Sequence, residues 1–259
     1  MRIATWNVNS VRARLPRVLD WLETAKPDVV CLQELKCQDA QYPTEAIEAL
    51  GYQSATHGQK TYNGVAILSR LGLEDVQRGF EGDPAPDHAR VICAQVQDVL
   101  FVNLYVVNGK EVGCDKYDLK LAWLDALTLD LKARYGDAIS NGEKVVVTGD
   151  FNITFDDRDV YDPDGWRDKI LCSQPERDRL QALCDLGLGD GLRKHHTDEG
   201  IYTWWDFRTR GFQRGNGLRI DHFLLSDKAL DACSAVEVDT EERGQEKPSD
   251  HAPVIATLD

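Results

Sequence analysis

The 259-residue chain is 42% apolar and 29% charged, a balance that excludes a disordered chain and supplies apolar surface for a substantial core. Its 44 acids outnumber its 30 Lys and Arg, and the resulting formal charge of −14 excludes a protein that coats nucleic acid by bulk attraction. No apolar run approaches the roughly 18 residues needed to span a bilayer.

In chain order, Ile3 to Trp6 reads as a first strand, and the polar Asn7, Asn9 and Ser10 that follow interrupt any signal-peptide core, so a cytoplasmic protein is expected. Leu15, Val18, Leu19 and Leu22 recur at helical spacing and predict a first helix. Strands are predicted at Val29 to Leu32, Val65 to Leu68, Val91 to Val96 and Leu100 to Val107. Leu121, Leu124, Leu127 and Leu131 form the stripe of a longer helix, followed by a strand from Val145 to Thr148. Asp156 to Asp168, with six Asp against two Arg, reads as an exposed loop. Leu180, Leu183 and Leu186 mark a third helix begun near Pro175-Glu176, and strands at Ile220 to Leu225 and Val254 to Leu258 close the series. No linker or low-complexity tract interrupts the chain, so one domain over 1–259 is expected, with sheets covered by helices in a layered α/β or α+β arrangement.

Seven Cys at irregular spacings, without a CxxC pair, predict reduced structural thiols. Charge is distributed unevenly. Residues 2–18 carry Arg2, Arg12, Arg14 and Arg17 without one acid, and residues 206–219 carry Arg208, Arg210, Arg214 and Arg219 against Asp206 alone. Each island is either a polyanion contact or a set of solvated loop arginines.

Several polar residues end apolar strands: Asn7 and Asn9 after "IATW", Gln33 and Glu34 after "VVCL", Asp150 and Asn152 after "VVVTG", and the closing Asp250-His251. "IATWNVN" and "VVVTGDFNI" echo one another in running from strand to Asn-bearing tip. Alone, each such residue is more often a turn former or helix cap. Asp221, inside "LRIDHFLL", is harder to dismiss, because a carboxylate there needs a partner to be buried. Together Glu34, Asp150 and Asp250 with the amides of Asn7 and Asn152 make an all-oxygen set with one imidazole, His251. Such ligands suit Mg²⁺ or Mn²⁺, whereas zinc asks for more His or Cys. A divalent ion in that setting serves phosphoryl chemistry, with His251 beside Asp221 or another carboxylate as phosphate donor or base.

The collinear segments "TWNVNSVRAR", "PDVVCLQELK", "GYQSATHGQKTYNGVAILSR", "VVVTGDFNI", "CSQPERDRLQALCDLGLGDGLR", "YTWWDFR", "GLRIDHFLLS" and "KPSDHAPV" cover essentially the whole chain. In these it resembles the exonuclease III family of DNA repair nucleases, within the endonuclease/exonuclease/phosphatase superfamily. The resemblance implies a DNase I-like, four-layered αββα sandwich, two mixed sheets face to face covered by helices, with the active site at one rim. It also implies a monomeric, Mg²⁺-dependent enzyme, Mn²⁺ substituting, that cleaves duplex DNA at abasic sites or 3′ ends without a membrane partner.

Carried over by position, the resemblance makes Glu34 the principal metal ligand, with Asn7 and Asp250 around it and Asp150, Asn152 and His251 in or beside the shell. Asp150 orients or deprotonates the attacking water, Asn152 steadies it or the phosphate, and His251, buttressed by Asp221, contacts the scissile phosphate. Tyr105 matches the family tyrosine facing the phosphate or leaving group. Arg90, Asn108, Lys110, Arg208, Arg210 and Arg214 are expected DNA contacts, as is Arg219 within its island. Trp204, Trp205 and Phe207 are candidates to wedge or stack, and strand alternation puts one of the two Trp toward the site and the other in the core.

Two departures bear on substrate. Where the family reads Tyr-x-Pro-Asn/Gln-Gly, this chain reads Tyr105-Val106-Val107-Asn108-Gly109, and the "KILCSQPER" loop carries Leu171. Both resemble a subgroup that trims 3′ ends in preference to incising abasic sites. Two rival readings stay open: a lipid or inositol phosphate phosphatase of the same superfamily, which needs membrane-facing apolar loops, and a non-catalytic nucleic-acid-binding relative, which would have lost acidic ligands.

Overall fold

The computed structural model describes residues 1–259. Its first six strands are β1 (Arg2–Asn7), β2 (Val29–Gln33), β3 (Gln53–His57), β4 (Val65–Ser69), β5 (Glu74–Arg78) and β6 (Val91–Val96). The others are β7 (Val99–Tyr105), β8 (Lys144–Asp150), β9 (Leu188–Asp190), β10 (Asp221–Ser226), β11 (Cys233–Val238) and β12 (Val254–Leu258). They form two six-stranded sheets, ordered β11-β12-β1-β2-β4-β3 and β5-β6-β7-β8-β10-β9. In each sheet one central pair is parallel, β1 with β2 and β7 with β8, and the other pairs are antiparallel.

Alternation along the strands builds three apolar layers. Ile3, Val29 and Ile67 from one sheet meet Ile92, Phe101, Val146 and Phe223 from the other in a central cluster of 21 buried residues. Their neighbours Ala4, Val30 and Leu68 face outward, packing on Val18, Trp21 and Leu22 of helix α1 (Leu15–Ala25) and on Ile47 of α2 (Thr44–Glu48). On the other side Val102, Val145 and Val147 pack against Trp123, Leu124, Leu127 and Leu131 of α3 (Asp115–Ser140). Beyond the short α4 (Pro163–Trp166), Leu180 and Leu183 of α5 (Gln174–Cys184) join that cluster. The order is therefore helix, sheet, sheet, helix, the four-layered sandwich expected. No helix is long and apolar enough to cross a membrane.

Eight strands and three helices lie where the sequence predicts them, with local corrections. β3, β5, β9 and β11 are missing from the sequence reading; they are the four edge strands of the two sheets, where half-exposed positions break the apolar pattern. β7 ends at Tyr105 rather than Val107, one ladder bond, from the Val106 N–H to the Asp150 carbonyl at 2.9 Å, continuing past it. Helix α5 stops at Cys184, leaving Leu186 beyond it. The acidic stretch 156–168 is not uniformly exposed: Asp159 is fully buried, bound by Arg219 and Arg193. All seven Cys are unpaired thiols, in keeping with the sequence reading.

Candidate active site

Period two decides which strand-end residues face inward. Asn7 follows Ile3 and Thr5, Asp150 follows Val146 and Thr148, Tyr105 follows Phe101 and Asn103, and Asp221 precedes Phe223 and Leu225, each in register with core-facing positions. Pairing then brings them to one rim. β7 and β8 are parallel with Tyr105 opposite Asp150, and antiparallel β10 starts at Asp221, also opposite Asp150. β1 ends with Asn7 opposite Gln33 of β2, next to Glu34, while β12 is antiparallel to β1, so Asp250-His251 precedes it at the same rim. Behind the rim, Gln33 is no ligand: its amide donates to Thr5 Oγ1 (2.9 Å) and Asn103 Oδ1 (2.7 Å). Asn103 in turn donates to the Leu32 and Ala66 carbonyls, tying the sheets together.

His251 is held at both ring nitrogens. Nδ1 donates to Asp221 Oδ2 at 2.9 Å, and Nε2 stands 3.7 Å from Asp150 Oδ2. Thr203 Oγ1 adds a second donor to Asp221 Oδ2 at 2.6 Å and receives the Asp221 N–H, fixing that carboxylate. Burial opposes the imidazolium, yet Asp221 and Asp150 outweigh it and hold the His251 pKa well above the usual range. Burial pushes the Asp150 carboxyl up, against the lowering effect of His251 and with Asp221 adding to the rise. Burial and mutual charge thus push Asp150 toward its protonated form and hold His251 as imidazolium, the opposed perturbations expected of an acid–base pair. One ligand atom from each of Asp150, Asp221 and His251 lies within 4.8 Å of the others, but the Nδ1 bond makes the three a proton-holding chain rather than a cage.

Glu34 and Asp250 make a second, more open cluster. Asn7 Nδ2 donates to Glu34 Oε1 at 3.1 Å and to Asp150 Oδ2 at 2.9 Å. Tyr105 OH donates to Glu34 Oε1 at 2.7 Å, and burial followed by the Glu34 and Asp150 charges raises its pKa strongly, so it stays a protonated donor. Lys36 Nζ lies 2.7 Å from Glu34 Oε2 and donates to Asn9 Oδ1 at 2.6 Å. Asp250 accepts from Asn9 Nδ2 at 2.8 Å and from Trp204 Nε1 at 3.1 Å. Asn152 turns its amide to the Val106 carbonyl and accepts from Asn108 Nδ2 at 2.9 Å, which places it on the cleft wall.

Glu34, Tyr105, Asp150, Asn152, Asp250 and His251 all line one cleft of about 350 Å³, with Asn7 and Asp221 directly behind. A larger cavity of about 620 Å³ lies elsewhere, around Ile201 and Val238, but of its acids Glu237 and Glu241 are exposed and half-buried Asp239 is spent on Trp21 Nε1 and the Glu242 N–H.

Of the expected DNA contacts, Asn108, Lys110, Trp204 and Arg208 line the cleft, and Arg210 and Arg214 are exposed on the adjoining loop. Two expectations are corrected. Arg219 is fully buried, its guanidinium spent on Asp159 and Asp190, so it cannot reach a phosphate. Arg90 is only 8% exposed; it stacks 4.8 Å over the Tyr105 ring and donates to the Tyr105 carbonyl, so it supports Tyr105 rather than a strand of DNA. The two tryptophans divide as alternation predicts: Trp204 bonds Asp250 at the cleft, while Trp205 is 5% exposed and packs edge-on against Phe212.

Sequence reading missed Lys36, Thr203, Lys120 and Glu176. Lys36 lies two residues past Glu34 in "QELK", and Thr203 opens "TWWDFR", so proximity to a motif was their signal. Glu176 carries the Ser173-x-x-Glu176 capping-box signature, which marks a helix start but not an ion pair, and Lys120 carries no signal, because positions 120 and 176 meet only through packing.

The sequence pattern of the Endonuclease/Exonuclease/phosphatase family matches residues 4–251. The chain is 35% identical to exodeoxyribonuclease III of Haemophilus influenzae across 99% of both proteins. Among solved structures it resembles the 3′-5′ exonuclease NExo of Neisseria meningitidis at 46% identity and a TM-score of 0.96, with 100% of each chain covered. NExo from Neisseria has also been solved as a 3′ phosphatase bound to a product DNA hairpin, at 45% identity and TM-score 0.96, covering 100% of this chain and 99% of that one. An AP endonuclease from Archaeoglobus fulgidus matches at 36% identity and TM-score 0.94, over 100% of this chain and 99% of that one.

Proposed function

The chain belongs to the endonuclease/exonuclease/phosphatase family, and within it we propose a Mg²⁺-dependent DNA repair phosphodiesterase that acts on 3′ termini and abasic sites of duplex DNA. The observation that carries this reading is the meeting, in one cleft, of the Asp150–His251 pair, 3.7 Å apart at Oδ2 and Nε2, with the carboxylates of Glu34 and Asp250. Exodeoxyribonuclease III, a 3′ phosphatase and an AP endonuclease among the relatives support nuclease action on DNA.

The residues fit a hard divalent cation. Every donor that Glu34 and Asp250 offer is oxygen, and the Lys36 ammonium already stands as a cation 2.7 Å from Glu34 Oε2. Glu34, with Asn7 and Asp250 around it, would hold the ion, Mg²⁺ with Mn²⁺ as substitute. Such an ion offsets charge on a pentacoordinate phosphate and on the leaving oxygen.

The chain's own groups do the rest. His251, kept protonated by Asp221, donates from Nε2 to a phosphate oxygen. Asp150, raised by burial toward neutrality, accepts a proton from the attacking water. Tyr105 OH, a donor held by Glu34, faces the phosphate or leaving group, and Asn152 steadies the phosphate from the cleft wall. Lys110, Arg208, Arg210 and Arg214 supply contacts to backbone phosphates flanking the break.

The test compares one preparation with Mg²⁺ on three duplexes: one with an internal abasic site, one with a recessed 3′ hydroxyl and one with a 3′ phosphate. Chelator-sensitive cleavage of the terminal substrates, faster than that of the abasic site, is expected. Absence of cleavage on all three refutes the reading.

A further inference from the structure

Lys120 of α3 is completely buried, and its three ammonium protons meet three acceptors. Nζ donates to the Asn152 carbonyl at 2.7 Å, to the Asn108 carbonyl at 3.3 Å and to Glu176 Oε1. Glu176, equally buried at the start of α5, is also saturated. Its Oε1 accepts from the Leu171 N–H at 3.1 Å, and its Oε2 from Ser173 N–H at 3.2 Å and Ser173 Oγ at 2.6 Å.

One ion pair therefore ties down three stretches lining the cleft: the turn after β7 at Asn108, the turn after β8 at Asn152, and Ile170–Leu171. All three hold a non-glycine residue in the left-handed region, Lys110 at φ +64°, Asn152 at φ +52° and Leu171 at φ +72°. A buried leucine adopts that conformation only where its surroundings over-determine it, and here Glu176 holds the Leu171 N–H while Thr154 N–H and Oγ1 hold its carbonyl at 2.8 and 3.1 Å. Contact between the stretches is close. A Cβ added to Gly109 would lie 2.8 Å from Ile170 Cδ1 and 3.1 Å from Lys120 Cδ.

The pair is neutral as a unit, so it adds no net charge to attract phosphate. Replacing a buried ion pair by apolar residues is often neutral or stabilising, so stability is a weak reason for its presence beside a substrate cleft. What it supplies is geometry. Glu34, Asp250 and His251 are fixed by other partners: Asn7 and Tyr105, Asn9 and Trp204, and Asp221. Loss of the pair would loosen the wall opposite them; of the reacting groups only Asp150 touches that wall, through the Asn152 N–H at 2.9 Å, and its other oxygen keeps the bond from Asn7.

We propose that Lys120 and Glu176 are positioning residues that set the width of the cleft between Asn152 and the Ile170–Leu171 wall, and thereby the preference among a 3′ phosphate, a 3′ nucleotide and an abasic sugar. The proposal rests on the nuclease reading above. A wall held close accommodates a terminal phosphate and crowds a displaced sugar; a loosened wall admits the sugar and positions the phosphate less well.

The experiment measures kcat and KM for the wild type, Lys120→Met, Glu176→Gln and the double variant on the same three duplexes, with thermal midpoints alongside. Lys120→Met leaves Glu176 buried without its partner and should lose stability, whereas the double variant removes both charges and should recover most of it. The expected result in the double variant is a roughly tenfold fall in kcat on the 3′ phosphate, with the ratio of kcat/KM between 3′ phosphate and abasic duplex shifted at least about fivefold toward the abasic site. Should the double variant fail to fold, the ratio is read from Glu176→Gln, which keeps the side-chain shape. An unchanged ratio, or three rates lowered by one common factor, overturns the proposal. A wild type inactive on every duplex refutes the nuclease reading and removes the proposal's basis, an outcome distinguishable from an active wild type whose variants keep its preference.

Discussion

Asn7 donates from Nδ2 to Asp150 Oδ2 at 2.9 Å, although the two residues lie 143 positions apart and end strands in different sheets. The same amide group reaches Glu34 Oε1, so one side chain spaces the carboxylate proposed to hold the ion from the one proposed as base.

Asn7→Ala removes that brace and one of the groups proposed to surround the ion. The expected outcome is a fall of about 10²-fold in the single-turnover rate, from misplacement of two reacting groups, with DNA affinity nearly kept. Rapid-quench cleavage with an end-labelled duplex measures it. A rate within threefold of wild type would show that Asn7 spaces nothing that matters to the chemistry.

Asp150→Asn deletes the proposed base and keeps its shape. A loss of about 10²- to 10⁴-fold in single-turnover cleavage at saturating Mg²⁺ is expected, the span that general-base catalysis supplies. Near-full cleavage by this variant would reassign the base, His251 being the next candidate.

Asp221→Asn separates the roles of His251. Asp221 and Asp150 hold the imidazolium pKa up against burial, so removing one charge lowers it. If the protonated ring is the working form, activity is lost as pH rises through that pKa, and the alkaline limb of the variant moves to lower pH by about one unit or more. An unmoved limb would mean that His251 works neutral.

His222 sets a stability limit at acid pH. Burial, then the Arg219 charge, lowers its pKa from 6.5 to about 4, and its Nε2 bonds the Ile153 carbonyl at 2.7 Å. The native state resists protonation where the unfolded chain accepts it. Its contribution is therefore complete above pH 6.5 and is lost as pH falls toward 4. The amount is up to about 3 kcal/mol. Urea unfolding between those limits should show a shallower pH slope for His222→Gln than for wild type. Parallel slopes would contradict it.

The basic loop should divide by burial. Arg208→Ala or Arg210→Ala is expected to reduce the slope of log affinity against log salt by about one, with stability unchanged. Arg219→Leu strips Asp159 and Asp190 of their partner and should cost about 3–5 kcal/mol of stability. Salt titrations of binding, paired with unfolding curves, distinguish the two classes; a salt-slope change in a stably folded Arg219→Leu would reverse the assignment.

Much of this was legible in the chain. Strands buried on both faces, such as "VVCL" and "VVVTG", announce themselves because each residue must be apolar, and the polar residue that ends each run is conspicuous by contrast. Edge strands such as "EDVQR" were not legible, since half of their surface meets water and tolerates any polar residue. Lys120 and Glu176 could not be found, because a charged residue in a helical sequence is usually solvated and only packing shows that these two are not.

By itself the sequence determined the chemistry on offer, Asn7, Glu34, Asp150, Asp221, Asp250 and His251 at or beside strand ends, and period two turns Asn7, Asp150 and Asp221 inward, whereas Glu34 (φ +54°) and His251 lie just outside their strands. Tertiary structure alone decided who meets whom. Alternation is local and fixes a side chain's face, whereas the alignment of one sheet on the other is fixed by interdigitation of the 21-residue central cluster. That alignment sets Asn7 against Asp150, turns Arg219 inward to Asp159 while leaving Arg208 in water, and locks Lys120 to Glu176 behind the cleft wall.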